Sequence, residues 1–180
     1  MSHDSDCMPA GLNRFIERLG LYFEEFGLPR IAGRLLGLLL ISDRPLSLEE
    51  IAAMLQVSRA SVSTNARMLT RTRQIERAGF PGDRKAYYAF TAGGWDALIE
   101  TDVQGAATLR QFAADALDSV GSAESAARPR LLAAVRFLDF YASELQATLA
   151  RWRAHTRGQP TRNGDHSAAG SPWGESPRQR

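Results

Sequence analysis

The chain has 180 residues, of which 44% are hydrophobic, and its formal net charge is +2. This length and apolar content suit one folded domain with added helices and exclude a chain that is disordered throughout. A single cysteine, Cys7, excludes a disulfide within the chain and a thiolate metal site. The first residues lack the basic and apolar regions of a secretory signal, so we expect a cytoplasmic protein.

Two helices are predicted in the first quarter of the chain. Apolar residues at spacings of three and four from Gly11 predict an amphipathic helix that Gly27 ends. The next segment, Arg30 to Ser42, is apolar on nearly all sides, which is typical of a buried helix. Its apolar stretch, Leu35 to Ile41, is far shorter than the roughly 20 residues of a membrane span, so no membrane partner is expected. Residues 1–10 are expected to be disordered.

Between Pro45 and Phe90 the pattern is two short helices joined by a tight turn, followed by a hairpin. The first helix is predicted from Leu46 to Leu55, and Ser47 with Glu50 has the spacing of a capping box. The turn is Gln56-Val57. This order of elements is the layout of a winged helix-turn-helix, whose second helix enters the major groove of duplex DNA.

The second helix is predicted to begin after an N-cap at Ser58. Val62, Ala66 and Leu69 recur at helical spacing and would face the core, so small polar residues and arginines occupy the opposite face. Such side chains reach base edges and phosphates in a major groove. The candidates for base contacts are Arg59, Ser61, Ser63 and Thr64, beside the capping Ser58, and the candidates for phosphate contacts are Arg67, Arg71 and Arg73.

The hairpin is predicted to turn at Pro81–Lys85, and its return strand to be buried on one face only. Arg84 at the tip is the candidate for the minor groove, where arginine is favoured. Lys85 would contact phosphate, and Asp83 could orient Arg84. Residues 58–85 carry seven basic side chains and two acidic ones, a charge concentration that indicates a phosphate-binding surface.

Two long amphipathic helices are predicted after the hairpin, from Thr91 toward Leu117 and from Pro129 to Trp152. They present more apolar surface than a small winged module can cover, which indicates a helical dimer interface. Residues 157–180 are rich in Gly, Pro, Ser and Arg and are expected to form a disordered basic tail.

Three segments resemble the GbsR-type branch of the MarR family of bacterial transcriptional regulators, and together they span about residues 11–95. The recognition helix of that branch usually ends in a glycine-containing turn, whereas Thr70–Ile75 contains no glycine. The similar segments are Phe15–Gly20 with Gly27–Gly37 at the opening, Ser58–Thr64 in the recognition helix, and Pro81–Lys85 with Tyr87-Tyr88 in the wing.

The resemblance implies a mainly α fold: a winged helix-turn-helix at 43–90 with a small β-hairpin wing, inside a MarR-like domain at 11–156. Helices at 11–42 and 91–156 would then form a homodimer. The implied partners are double-stranded DNA with a pseudo-palindromic operator, and a small-molecule effector that changes the DNA affinity of a repressor.

Two other functions stay open on the sequence: a winged-helix protein-interaction module, and a nonspecific architectural DNA binder that uses the basic tail. An enzyme is not expected, because the three histidines are scattered and no glycine-rich phosphate signature is present, and no cofactor or metal is predicted. The aromatic residues of the helices would suit a quaternary ammonium ligand. Core packing is their default interpretation, so the effector site, the operator and the regulated genes stay unassigned.

Overall fold

A computed structural model of the protein describes residues 8–120 and 125–157. Residues 1–7 and 158–180, which include most of the termini predicted to be disordered, lie outside this range. The chain is mainly helical and divides into two compact units after Gly94. In chain order the described elements are α1 (Ala10–Glu25), α2 (Arg30–Leu40), β1 (Leu46–Ser47), α3 (Leu48–Leu55), α4 (Arg59–Arg71), β2 (Ile75–Ala78), β3 (Tyr87–Phe90), α5 (Gly94–Ser119) and α6 (Ala127–Arg157).

Helix α2 lies at the centre of the N-terminal unit, as its apolar sequence predicted. Leu35 and Leu38 are fully buried, in one core with Ile51 of α3 and Val62 of α4. This burial fixes the positions of the two helices that follow α2. It removes apolar side chains from water, the main source of stability for such a module.

Helices α1 and α2 cross at glycine. A Cβ added at Gly33 would overlap with the carbonyl oxygen of Leu19 and lie 2.9 Å from the Cα of Gly20. The two backbones therefore touch, and neither position has room for a side chain. The Glu17 carboxylate of α1 also forms ion pairs with Arg30 and Arg34 of α2.

The sheet has three antiparallel strands in the order β1-β3-β2, and so it extends the predicted two-stranded hairpin by one strand. Leu46 was expected to be helical, but it pairs with Tyr88 in β1, and α3 begins only at Leu48. The prediction that β3 is buried on one face is wrong. Tyr88 belongs to the main core, while Tyr87 on the other face is covered by Phe80, with ring centroids 4.7 Å apart.

The second unit contains α5 and α6, which run antiparallel. The guanidinium of Arg153 near the end of α6 pairs with Asp96 at the start of α5, and Arg110 pairs with Asp139 further along, both within 2.8 Å. The indole of Trp152 also donates to Asp96. Within the described residues, no helix combines the length and the apolar character needed to span a membrane.

Candidate nucleic-acid interface

Helix α4 presents one buried and one exposed face, with the partition that its sequence predicted. Val62, Ala66 and Leu69 are at most 1% exposed and hold the helix against the core. The opposite face is left to solvent, with Ser63 half-buried at its margin. The exposed candidates on this face are Arg59, Thr64, Arg67 and Arg71.

The serines at the start of α4 build the helix end. The Ser58 side chain accepts a hydrogen bond from the Ser61 N–H at 3.1 Å, which satisfies one of the unpaired N–H groups of the first turn. The Ser58 hydroxyl also donates to the hydroxyl of Ser61. Asn65, which no sequence pattern marked, is buried and donates to the Ser61 carbonyl at 2.8 Å. The first turn is thus rigid before any ligand binds.

Helix α4 ends without a glycine. Thr72 is the C-cap, and Arg73 takes a left-handed conformation at φ 56°. The Arg73 N–H donates to the Thr70 carbonyl and the Gln74 N–H to the Leu69 carbonyl, each at 3.0 Å. This is a Schellman closure, which usually places glycine at the left-handed position. The same backbone turn is therefore made here with an exposed arginine.

The wing loop between β2 and β3 begins with a tight turn. The Asp83 N–H donates to the Phe80 carbonyl at 3.1 Å, and the positive φ of 79° at Gly82 follows Pro81. Proline and then a positive φ are the signature of a type II turn. The loop therefore has a defined conformation, although its eight residues exceed a two-residue hairpin turn.

Asp83 holds the rest of the wing loop. Its carboxylate accepts the Lys85 N–H and the Tyr87 hydroxyl, both at 2.8 Å. These two bonds hold the pKa of the Asp83 carboxyl below its usual value. The bond to Asp83, and then burial, raise the pKa of the Tyr87 hydroxyl. Asp83 thus acts on the loop backbone and on Tyr87, rather than on the Arg84 side chain as suggested by sequence.

The tip of the wing is basic and open. Arg84 and Lys85 are exposed, and in the part of the chain that the structure describes neither side chain has a carboxylate partner. A loop held by these bonds can offer both exposed cations to an approaching polyanion.

One contact between α3 and α4 could not be predicted from the sequence. Glu49, in the first turn of α3, forms an ion pair with Arg59, the first residue of α4. Periodicity assigns faces within one helix, so it gave no signal for a pair on different helices. The base-contact candidate Arg59 is thus already partnered.

The aromatic residues of the helical frame are mostly exposed, so core packing within one chain is the wrong interpretation for them. Of the aromatic residues of α1 only Phe23 is buried, while Tyr22 and Phe26 are 55% and 65% exposed. Phe137 and Phe140 of α6 are likewise more than 60% exposed. No described group of His, Cys, Asp and Glu is arranged to hold a metal ion.

Comparison with known proteins matches both units. Residues 26–86 match the model of the MarR family, and residues 93–155 match that of an MmpR5-like MarR family transcriptional regulator. The chain is 35% identical to the HTH-type transcriptional regulator MmpR5 of Mycobacterium tuberculosis over 79% of this chain and 87% of that protein. A crystal structure of a transcriptional regulator is 34% identical, with a TM-score of 0.75 over 80% of this chain and 99% of its own.

Proposed function

Because this chain belongs to the MarR family of transcriptional regulators, we propose that it is a bacterial, cytoplasmic repressor that binds a pseudo-palindromic operator as a homodimer. Arginines exposed on α4 and on the wing loop of one unit carry the proposal. Phosphate contacts supply most of the affinity of such proteins, and base contacts supply the specificity.

The residues of α4 divide by what they can reach. Short side chains such as Ser63 and Thr64 allow the helix to approach base edges closely, while Arg59 has the length and the donors to bind guanine. Arg67, Arg71 and Arg73 lie nearer the end of the helix and are assigned to phosphates. Ser58 and Ser61 supply the rigid helix start, where free backbone N–H groups also suit a phosphate.

The wing adds a second contact. Arg84 is assigned to the minor groove and Lys85 to the adjacent backbone, as the exposure of both side chains permits. The bonds of Asp83 to the loop backbone and to Tyr87 keep this tip in one conformation before DNA binds.

The dimer is proposed from apolar residues that each unit leaves in solvent. In the N-terminal unit these are Leu12, Phe15, Tyr22 and Phe26 of α1, and in the second unit Leu109, Phe112, Phe137 and Phe140 of α5 and α6. Exposed apolar surface of this extent marks an interaction site. A second copy of the chain would bring two recognition helices to one duplex, about 34 Å apart for half-sites one helical turn apart.

A small-molecule effector is part of the same proposal, and it would act by favouring a dimer with a different separation of the recognition helices. Its binding residues are unassigned. Assignment to the GbsR-type branch rests on the three similar segments alone, whereas the comparisons support an MmpR5-like member of the family.

The proposal is tested by two substitutions that should affect DNA binding in different ways. Arg67→Ala should weaken binding to every duplex about equally and lower the salt slope by about 1, because it removes a phosphate contact. Ser63→Ala should instead change the preference at particular base pairs, each contact being worth roughly 1–3 kcal/mol.

Arg136→Ala, which removes the same charge from an exposed position of α6, is the control and should leave DNA affinity unchanged. The assignment of α4 fails if Arg67→Ala behaves like this control in filter binding across salt concentrations.

A further inference from the structure

The pair between Glu49 and Arg59 sits beside the proposed base-contacting face. Glu49 Oε1 lies 2.5 Å from an Arg59 Nη atom, and the two side chains are 42% and 68% exposed. Each belongs to the first turn of its own helix, and both helix starts are fixed by serine caps. The pair therefore links the capped starts of two neighbouring helices.

Arg59 differs in this respect from the other candidate arginines of α4. Within the described residues, Arg67 and Arg71 have no carboxylate partner, and the Arg67 guanidinium donates only to the carbonyl of Ser63. These two are free to neutralise phosphate. Arg59 must first leave a carboxylate, or bind DNA with that carboxylate still beside it.

We propose that Glu49 is a specificity-determining residue that positions Arg59 and restricts it to base contacts. This inference rests on the proposed operator binding by α4. A single phosphate oxygen offers Arg59 no better partner than the carboxylate that it already has, and the charge of Glu49 repels the backbone of any duplex. The guanine edge offers two acceptors in the geometry of the guanidinium, which compensates for the lost pair.

The consequence is a larger difference between specific and nonspecific DNA, at the expense of total affinity. Specificity is a difference of affinities, and a group that penalises the wrong partner increases it as effectively as one that favours the right partner. An exposed ion pair is weak enough to be exchanged on binding. Because of Glu49, the contribution of Arg59 to binding therefore depends on the DNA sequence.

The experiment measures dissociation constants of the dimer for its selected operator and for a scrambled duplex across salt concentrations. Glu49→Gln should tighten binding to the scrambled duplex by about threefold to tenfold. It should also increase the salt slope by about 1, as one further phosphate contact forms. Operator affinity should change less, so that the ratio of the two affinities falls.

Two control experiments distinguish the effect of the Glu49–Arg59 pair from the effect of removing any negative charge. Glu24→Gln removes an equal charge from an exposed position of α1 and should leave the affinity ratio unchanged. In an Arg59→Ala background, Glu49→Gln should lose most of its effect on the ratio. Melting temperatures and a second variant, Glu49→Ala, check that the fold is retained.

The outcomes are distinguishable. If the wild-type protein prefers its operator but Glu49→Gln alters both duplexes equally, or acts equally with and without Arg59, the role of Glu49 is overturned while operator binding stands. If the wild-type protein binds all duplexes alike, the operator proposal and this inference both fail.

Discussion

At the scale of single residues, the helix-turn-helix contains left-handed positions that are occupied by side chains other than glycine. Gln56 closes α3 at φ 53° and ψ 47°, with the Val57 N–H donating to the Ala52 carbonyl at 3.0 Å. A non-glycine residue in this region is disfavoured by roughly 1–2 kcal/mol. The tight turn is therefore made at some expense of stability.

Gln56→Gly should raise the free energy of unfolding by about 0.5–1 kcal/mol, because the strain is relieved and the exposed glutamine side chain contributes little. Chemical denaturation measures this. Ala53→Gly, at an exposed position inside the same helix, is the matched control and should lower stability by about 0.5–1 kcal/mol. Equal losses in both variants would show that Gln56 is not strained.

The carboxyl of Glu50 makes the start of α3 sensitive to acid. It accepts the Ser47 N–H at 2.7 Å in the capping box and pairs with Arg44. Burial raises the pKa of Glu50, but the hydrogen bonds from Arg44 and Ser47 outweigh it, so the pKa lies below the ordinary 4.5. Its contribution to stability is then present above pH 4.5 and is lost as pH falls through the lower folded-state pKa.

Glu50→Gln should accordingly reduce stability at pH 7 and flatten its decline below pH 4.5. Unfolding free energies measured at intervals from pH 7 to pH 3 provide the test. Ser47→Ala serves as a comparison that removes about 1 kcal/mol of capping at neutral pH while keeping the ionisable group. If the unfolding free energies of Glu50→Gln and of the wild type declined equally below pH 4.5, this role would be contradicted.

The bond between Asp83 and Tyr87 predicts an alkaline effect in the wing. Because this bond raises the pKa of the Tyr87 hydroxyl above 10.0, the bond is intact below that pH and is lost as pH rises through the raised pKa. Asp83→Asn should bring the pKa of Tyr87 back toward 10.0 in an NMR titration. It should also weaken operator binding by loosening the loop around Arg84.

Glu76→Gln, a change of equal charge at a half-buried position of β2, is the control for that experiment. An unchanged Tyr87 titration in Asp83→Asn would rule out the hydrogen bond as the cause.

At the scale of elements, the crossing of α1 and α2 depends on glycine. Gly33→Ala would place a methyl group against the backbone of α1, which cannot move aside as a flexible side chain could. We expect a loss of about 3 kcal/mol of stability, at the upper end for overpacking. Thermal or urea unfolding measures the loss.

Gly105→Ala in α5 is the matched control for this crossing, since nothing lies within 4 Å of the added carbon. It should raise stability by about 0.5–1 kcal/mol through helix propensity alone. A tolerated Gly33→Ala would mean that the two helices can separate without loss.

The elements that could be predicted from the sequence are those with local signals. Helical spacing placed α1, α2 and α4, the serines identified two N-caps, and the inward stripe of α4 is confirmed by burial. Strand β1 could not be predicted, because two residues carry no periodicity and its partner Tyr88 lies about forty positions away. Burial of Tyr87 by Phe80, and the pair of Glu49 with Arg59, each join residues outside a single helix or strand, so periodicity within one element gave no signal for them.

At the scale of the whole molecule, the two units supply different parts of one regulator. The first unit carries the exposed arginines of α4 and the wing, and the second carries two long helices joined by ion pairs at Asp96 and Asp139. Each unit leaves aromatic side chains in solvent. The proposed homodimer would cover those side chains, and it would match the proposed symmetric operator, since isologous contacts generate a twofold axis.

The most direct test of this account is a selection from random duplexes with the purified protein at physiological salt, followed by sequencing of the retained DNA. We expect an enriched inverted repeat whose half-sites are centred about 10 base pairs apart. Retention without enrichment would contradict it in favour of an architectural binder, and no retention would contradict DNA binding and favour a protein-interaction module.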